Sequence, residues 1–301
     1  MTQNWKQFIQ QFPISNPSAK ILVDLSRYGV IKVSGPDAAK FLQGQLSCDV
    51  LALQPGSHTL GAYCNIKGKI DSLFRLWRLG DDYFLRLSIN LVQATIDELQ
   101  KYAVFSKLNL QDVSEHICGF GVSNHIVNLQ ITDPGLAVLA IEPANRYEVY
   151  GPFAAISKVW QHCILEATHV DPYVWDVLDI KHRIPELYPQ TIGEFFPHDL
   201  NLPQLGAVSF TKGCFRGQEI IARMQHRGKL KRSLYGFTAE QHRFVAGDKI
   251  TAGGPEVESI AGTVVRVCRN VEGGVMGLAV ITNSLATEKL AVGNHQIRLE
   301  T

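Results

Sequence analysis

Ser209-Phe210-Thr211-Lys212-Gly213-Cys214-Phe215-Arg216-Gly217-Gln218-Glu219-Ile220-Ile221-Ala222-Arg223-Met224 sets a cysteine between two glycines, with cations on both sides. Gly213 and Gly217 admit backbone conformations and close approaches that a side chain blocks. From Gln218 the apolar positions Ile220, Ile221 and Met224 recur at helical spacing, which predicts a helix starting just after Cys214. A helix N-terminus, Lys212 and Arg216 would all favour thiolate over thiol. The stretch reads as a chemically available cysteine; the alternative is a small buried residue beside a tight turn.

From within this stretch onward, Lys212, Arg216, Arg223, Arg227, Lys229, Lys231 and Arg232 have Glu219 as the single acid among them. This excess suits an anionic ligand, either a polyanionic small molecule or RNA; a solvated basic face is the alternative. From Ser233 the chain turns to short β-rich runs, Ser233 to Thr238, Thr263 to Cys268 and Val275 to Ile281. Turns at Ala246-Gly247-Asp248, Gly253-Gly254-Pro255 and Glu272-Gly273-Gly274 separate them, which predicts a small barrel or sandwich.

Upstream, Gly193-Glu194-Phe195-Phe196-Pro197-His198-Asp199-Leu200-Asn201-Leu202-Pro203 is dense in loop residues and leads directly into the cysteine stretch, which predicts a wall of the same cavity. Before it, Tyr173 to His182 has helical spacing, with Val174, Val177 and Leu178 on the apolar face. Trp175 falls on the polar stripe with Asp179 and His182, so either another part of the protein covers it or a flat ligand stacks there. A second helix carries Phe153, Ile156, Val159, Trp160 and Cys163 on one face, and Trp160 reads as core. Nearer the N-terminus, Gly29 to Val33, Thr59 to Asn65, Ile70 to Leu79 and Tyr83 to Leu87 read as strands. Ala38, Phe41 and Leu42 form the apolar side of a helix between the first two. Leu91 to Tyr102 packs a further helix on this meander. Strands followed by helices indicate an α+β arrangement. Tyr28 stands at a strand boundary and reads as a rim residue. Lys67 and Lys69 flank a turn glycine that could hold an anion, or they are solvated turn residues.

The chain has 301 residues, 46% of them hydrophobic, enough for a sizeable core and for two or three domains. Lys+Arg is 29 against Asp+Glu 28, which excludes a protein that binds nucleic acid or membrane through its overall charge. The start, Met1 to Phe8, lacks the apolar core of a signal peptide, and no stretch is long enough to span a bilayer. Six scattered cysteines without a Cys-x-x-Cys pair argue against a structural zinc or disulfide framework. The expectation is a cytoplasmic protein without a resident metal. No glycine-rich dinucleotide fingerprint or phosphate loop is present.

Lys212-Gly213-Cys214-Phe215-Arg216-Gly217-Gln218-Glu219 resembles the signature of the YgfZ family, whose mitochondrial relatives help mature four-iron–four-sulfur proteins. Phe41 to Val50, Cys64-Asn65-Ile66-Lys67-Gly68-Lys69, Lys101 to Lys107, Asn201 to Gly206 and Arg227 to Arg232 resemble family segments in the same order. The likeness runs from about Leu25 to Arg232. It implies the fold of the glycine-cleavage aminomethyltransferase (T-protein): discontinuous α+β domains around a central folate cavity, with a C-terminal β-barrel. On that basis residues 1–228 form the folate-binding region, with one subdomain inserted in the other, and 229–301 the barrel.

The resemblance further implies tetrahydrofolate binding and a role, alongside the iron–sulfur maturation machinery, in assembling or repairing iron–sulfur enzymes, including those that thiolate tRNA. Trp175 and Tyr28 match two aromatic positions associated with folate, the second being tryptophan in the best-known bacterial member. Cys214 is then the reactive thiol, as nucleophile, redox group or transient cluster ligand. Lys212, Gly213, Gly217, Gln218 and Glu219 complete its loop. Two other readings stand beside this one. Asp71 lies near the acidic slot of the aminomethyltransferases, but their double acid is absent and they lack the signature, so no glycine-cleavage activity is expected. A module docking RNA through the basic 212–232 stretch is the second.

Overall fold

The computed structural model describes residues 4–123, 133–141, 145–226, 229–240, 243–253, 259–270 and 273–300. The first half has helices α1 (Trp5–Ile9), α2 (Ala38–Gln45) and α3 (Val92–Gln100) among strands β1 (Ile21–Asp24), β2 (Tyr28–Ser34), β3 (His58–Cys64), β4 (Ile70–Leu79), β5 (Asp82–Ser88) and β6 (Asn109–Asp112). Then come β7 (Ile117–Ser123), β8 (Ala137–Ile141), β9 (Arg146–Pro152), α4 (Phe153–Cys163), β10 (Thr168–Val170), α5 (Tyr173–Lys181) and α6 (Gln218–His226). The chain ends with β11 (Arg232–Ala239), β12 (Lys249–Ala252), β13 (Ser259–Arg269), β14 (Val275–Thr282), β15 (Leu290–Val292) and β16 (His295–Glu300).

Two five-stranded sheets run β10-β1-β7-β9-β8 and β3-β4-β5-β2-β6, and the last six strands close into a barrel. The fold is therefore the expected α+β arrangement with a C-terminal barrel. Two compact units contain these elements: Met1–Ala39, Ala52–His58 and Arg75–Trp175 in one, Lys40–Leu51, Thr59–Phe74 and Asp176–Thr301 in the other. The boundary expected at 228/229 falls next to residues 227 and 228, which lie outside the described residues.

In the first unit, the sheet through β1, β7 and β9 buries one face under α4. Ile156, Trp160 and Cys163 recur on one side of that helix and enter a cluster with Leu22, Phe120, Val122 and Val149. Trp160 meets Phe120 edge to face at 5.5 Å and is core, as its helix position implies. The N-terminal lead-in is anchored there too: Trp5 lies 5.7 Å from Trp160 and donates its indole N–H to Asp24 at 2.8 Å.

In the second unit, the barrel follows the order β11-β14-β13-β12-β15-β16 and closes by pairing β16 with β11. Phe237, Ile250, Ala261, Val264, Ala279 and Ile281 fill it. The β13–β14 register shifts between Val264 and Arg266, and a bulge at such a point re-aims the next side chain. Arg266, buried, donates to Asp179 at 3.0 Å and pairs with Asp176, both on α5. Of the predicted barrel turns, residues 254–255 and 272 lie outside the described residues.

Candidate functional site: the cysteine loop and the two aromatics

The segment after α2 lies along the stretch that leads to Cys214. Ser47 donates its hydroxyl to the Ala207 carbonyl at 2.6 Å and accepts the Ala62 amide at 2.9 Å, so this buried side chain ties three chain segments together. Ser209 N–H donates to the Ser47 carbonyl at 2.9 Å, and Arg216 N–H to the Gly44 carbonyl at 3.2 Å. The Lys212 ammonium donates to the Leu46 and Cys48 carbonyls, both at 2.7 Å. Four carbonyls, Gly44 in the last turn of α2 and Leu46, Ser47 and Cys48 just beyond it, are thus engaged by one loop.

Cys214 is exposed at the tip of that loop, and α6 begins at Gln218 as the periodicity predicts. The two flanking cations turn elsewhere. Lys212 is held on the carbonyls just described, and Arg216 bonds the Tyr63 hydroxyl and lies 5.0 Å from that ring. Burial pulls the Lys212 ammonium down to about 8, with the Asp49 carboxylate opposing the shift. Burial also pushes the Cys48 thiol up to about 12 and raises the Cys64 thiol further, so both stay neutral. Glu219 is exposed and pairs with Arg223 at 2.5 Å, one helical turn on.

The two glycines differ. Gly217 has φ +79°, and a Cβ there would stand 2.6 Å from the Asn65 carbonyl oxygen and 3.2 Å from Gly68 Cα. Gly68, at φ +72°, faces Gly217 from the other side: a Cβ there would stand 3.0 Å from the Ile220 side chain and 3.5 Å from the Gly217 carbonyl oxygen. The segments Cys64 to Lys69 and Lys212 to Glu219 therefore touch backbone to backbone, a closeness that only glycine permits. A side chain at Gly213 would meet nothing within 4 Å.

The turn between β3 and β4 is set by Asn65, whose side-chain oxygen accepts the Lys67 and Lys69 amides at 3.0 and 3.2 Å. Its amide group donates to Asp71 at 2.9 Å. Lys69 is not a solvated turn residue: it donates to the Glu194 carbonyl at 2.7 Å and sits 3.9 Å from the Phe196 ring centroid. His198 is buried and bonds Gln225 of α6 at 3.0 Å; burial holds its imidazole below the usual range. Arg232 pairs with the buried Asp199 at 2.5 Å. Lys212, Arg216 and Arg232 are thus engaged within the fold and Arg223 pairs with Glu219 at the surface, while Lys229 and Lys231 are exposed and Arg227 lies outside the described residues.

In the other unit Tyr28 and Trp175 are both buried. The Arg86 guanidinium lies 3.7 Å from the Tyr28 ring centroid, and Arg27 donates to its hydroxyl at 3.1 Å. Trp175 packs against Gly121, where a Cβ would come within 2.8 Å of the indole, and Arg146 lies 4.9 Å from its ring. The Trp175 N–H is buried without a hydrogen-bond partner among the described residues.

Sequence reasoning missed a buried charge cluster beside Tyr28. Glu148, fully buried, accepts from Arg86 through both oxygens, lies 3.5 Å from Arg75, and accepts the Tyr150 hydroxyl at 3.0 Å. The signal available was a charged residue at alternate, inward positions of strands that are otherwise apolar. Among the described residues no group of three or more His, Cys, Asp or Glu side chains could hold a metal ion, and no helix is long and apolar enough to cross a membrane.

An α+β body with a closed C-terminal barrel is the aminomethyltransferase architecture. The chain superposes on the glycine cleavage system aminomethyltransferase T from Bartonella henselae with a TM-score of 0.72 at 16% identity, covering 95% of this chain and 86% of that one. Residues 3–123 match the GCVT N-terminal domain family. Within that architecture, the exposed cysteine on its glycine-hinged loop points to one branch. The chain is 32% identical over 278 residues to the tRNA-modifying protein YgfZ of Aliivibrio fischeri strain ES114, covering 87% of this chain and 85% of the relative. It is 29% identical over 300 residues to the protein of the same name from an Escherichia coli strain, covering 93% and 92%. The chain belongs to the YgfZ family.

Proposed function

We propose that this protein is a cytoplasmic, tetrahydrofolate-binding accessory factor that supports the assembly or repair of iron–sulfur enzymes, among them enzymes that thiolate tRNA. The observation that carries the reading is the exposed Cys214 thiol on a loop anchored at both ends. A thiol so placed is accessible to a partner protein or a small reactant while its backbone stays fixed. The names of the relatives support the link to tRNA modification, and the aminomethyltransferase fold supports the folate.

Trp175 fits a bound folate in one specific respect: its buried indole N–H lacks a partner, and a ring acceptor would satisfy it. Tyr28 contributes by holding Arg86 against its face, since that face is already occupied. Folate supplies one-carbon chemistry when bound; the chain's part is to hold its ring and to keep Cys214 available. Glycine-cleavage activity is not part of this reading, because Asp71 is held by Asn65 and no second acid follows it in the strand.

Titration of the purified protein with tetrahydrofolate, followed by tryptophan fluorescence, tests the folate assignment. Saturable quenching in the wild type that weakens in Trp175→Phe is expected. A wild type that does not respond removes folate from the account. Activity of iron–sulfur enzymes in a null strain tests the thiol: Cys214→Ser is expected to fail to restore it, and full restoration removes the thiol.

A further inference from the structure

Lys212 precedes the reactive-looking cysteine by two residues, and in sequence it reads as the cation that activates the thiol. Its ammonium is elsewhere. Two of its three N–H donors are spent on the Leu46 and Cys48 carbonyls at 2.7 Å each, and the Phe215 ring centroid lies 5.1 Å from the nitrogen. Those carbonyls belong to the run that closes α2, and Ser209 and Arg216 bond the Ser47 and Gly44 carbonyls of the same run. Ser47, between the two carbonyls that Lys212 holds, is itself fixed by Ala207 and Ala62. The lysine therefore reaches back from the loop to a rigid seat.

We propose that Lys212 is a positioning residue, a strut that fixes the turn presenting Cys214 on the Leu46–Cys48 segment just after α2, and that it does not act on the sulfur. The geometry holds the loop on both sides of Cys214, by the Ser209 amide and the Lys212 side chain before it and by the Arg216 amide and side chain after it. Between them Gly213 has open space around it, and Cys214 is exposed. With the strut removed, the upstream hold on the segment from Lys212 to Phe215 falls to the Lys212 amide on the Ser209 hydroxyl at 3.2 Å, and the segment gains freedom to swing on Gly213. An ammonium suits the seat because two backbone carbonyl oxygens converge on it at 2.7 Å each, giving charge-assisted hydrogen bonds. Burial lowers its proton affinity but leaves it charged at neutral pH. The consequence for function rests on the proposed role of Cys214; the geometric claim does not.

The test uses the full-length protein with Lys212→Met, Lys212→Gln and Lys212→Arg. Two quantities are read for each: amide hydrogen exchange in peptides spanning 44–50 and 207–216, and the pH dependence of Cys214 alkylation by iodoacetamide, resolved by mass spectrometry. Losing a charge-assisted pair of hydrogen bonds is expected to speed exchange in both peptides by about tenfold or more in the Met variant. The pH midpoint of alkylation should stay where it is. Lys212→Arg, which keeps a charged donor, should recover part of the protection, and Lys212→Gln less. Exchange unchanged with the midpoint moved upward would make Lys212 a charge partner of the thiol and overturn the proposal, as would no change in either. If the Met variant does not fold, the Gln and Arg variants carry the same comparison. Should Cys214→Ser restore function fully in the null strain, the proposed role of the thiol falls, while the exchange data still decide whether Lys212 is a strut.

Discussion

The Cys214 loop and the Glu148 cluster solve opposite problems. The loop keeps a polar side chain in solvent and spends its bonds on backbone carbonyls. The cluster keeps four polar side chains out of solvent and spends its bonds among them. In the loop each bond joins a neutral or singly charged donor to a backbone carbonyl, so losing one costs little to the fold as a whole. In the cluster Arg75 and Arg86 stand directly opposite each other on β4 and β5. Like charges so placed repel, and one carboxylate shared between them removes the conflict. Stability should therefore be concentrated in the cluster, and function in the loop.

The largest effect should come from breaking the cluster. Glu148→Gln leaves two buried guanidinium groups without their carboxylate, at a cost of about 3–5 kcal/mol. Urea unfolding measures it, with an intermediate or an unfolded product at 25 °C as the extreme outcome. A loss below about 1 kcal/mol would mean that these arginines are neutralised by something other than Glu148.

The two regions also differ in how far sequence reveals them. The loop is contiguous: two glycines, a cysteine, two cations and a helical repeat within sixteen residues, so its outline and the start of α6 were readable from spacing. The cluster joins β4, β5 and β9, and nothing local pairs Arg86 with a glutamate 62 positions away. The hint was periodic, with Arg146, Glu148 and Tyr150 alternating on one strand, but burial decides whether such a face looks to water or to a core. Trp175 is an intermediate case. Its place on a polar stripe required a cover, and the cover comes from Gly121 and Arg146, neither identifiable from the helix alone. Arg266 was invisible for the same reason: a bulge in the barrel redirects it to α5.

Within the loop, the glycines sharpen the comparison. Gly217→Ala sets a Cβ 2.6 Å from a backbone oxygen at a positive φ, and neither the oxygen nor the dihedral has room to adjust. A cost of about 2–4 kcal/mol is expected, with the helix α6 start displaced. Gly213→Ala should cost within about 0.5 kcal/mol, because the added methyl meets nothing. Equal effects from the two would mean that the contact between the 64–69 and 212–219 segments is not what requires glycine.

Lys212 gives the loop a pH signature. Its folded-state pKa lies near 8, below the ordinary 10.5, so between those values the folded protein holds fewer protons than the unfolded chain. Stability then rises with pH through that window relative to Lys212→Met, and the Lys212 contribution is at its least below pH 8. The group is half-exposed, so solvent screening keeps the effect small. Denaturant midpoints of the two proteins at pH 7 and pH 10 provide the measurement; a gap that narrows with rising pH would contradict the sign.

The smallest effect on stability is expected where the largest effect on function is proposed. Cys214 contributes little buried surface, and serine keeps its size and polarity, so Cys214→Ser should change the unfolding free energy by no more than about 0.5 kcal/mol. Exchange in the 207–216 peptides should match the wild type, because the anchors at Lys212 and Arg216 are untouched. A null strain carrying this variant would then show failure of iron–sulfur enzymes with a fully folded protein present, which assigns the defect to the sulfur atom alone. If the same variant unfolds easily or loses protection around α6, the thiol is part of the packing. The division between a region that stabilises and a region that reacts would then not hold.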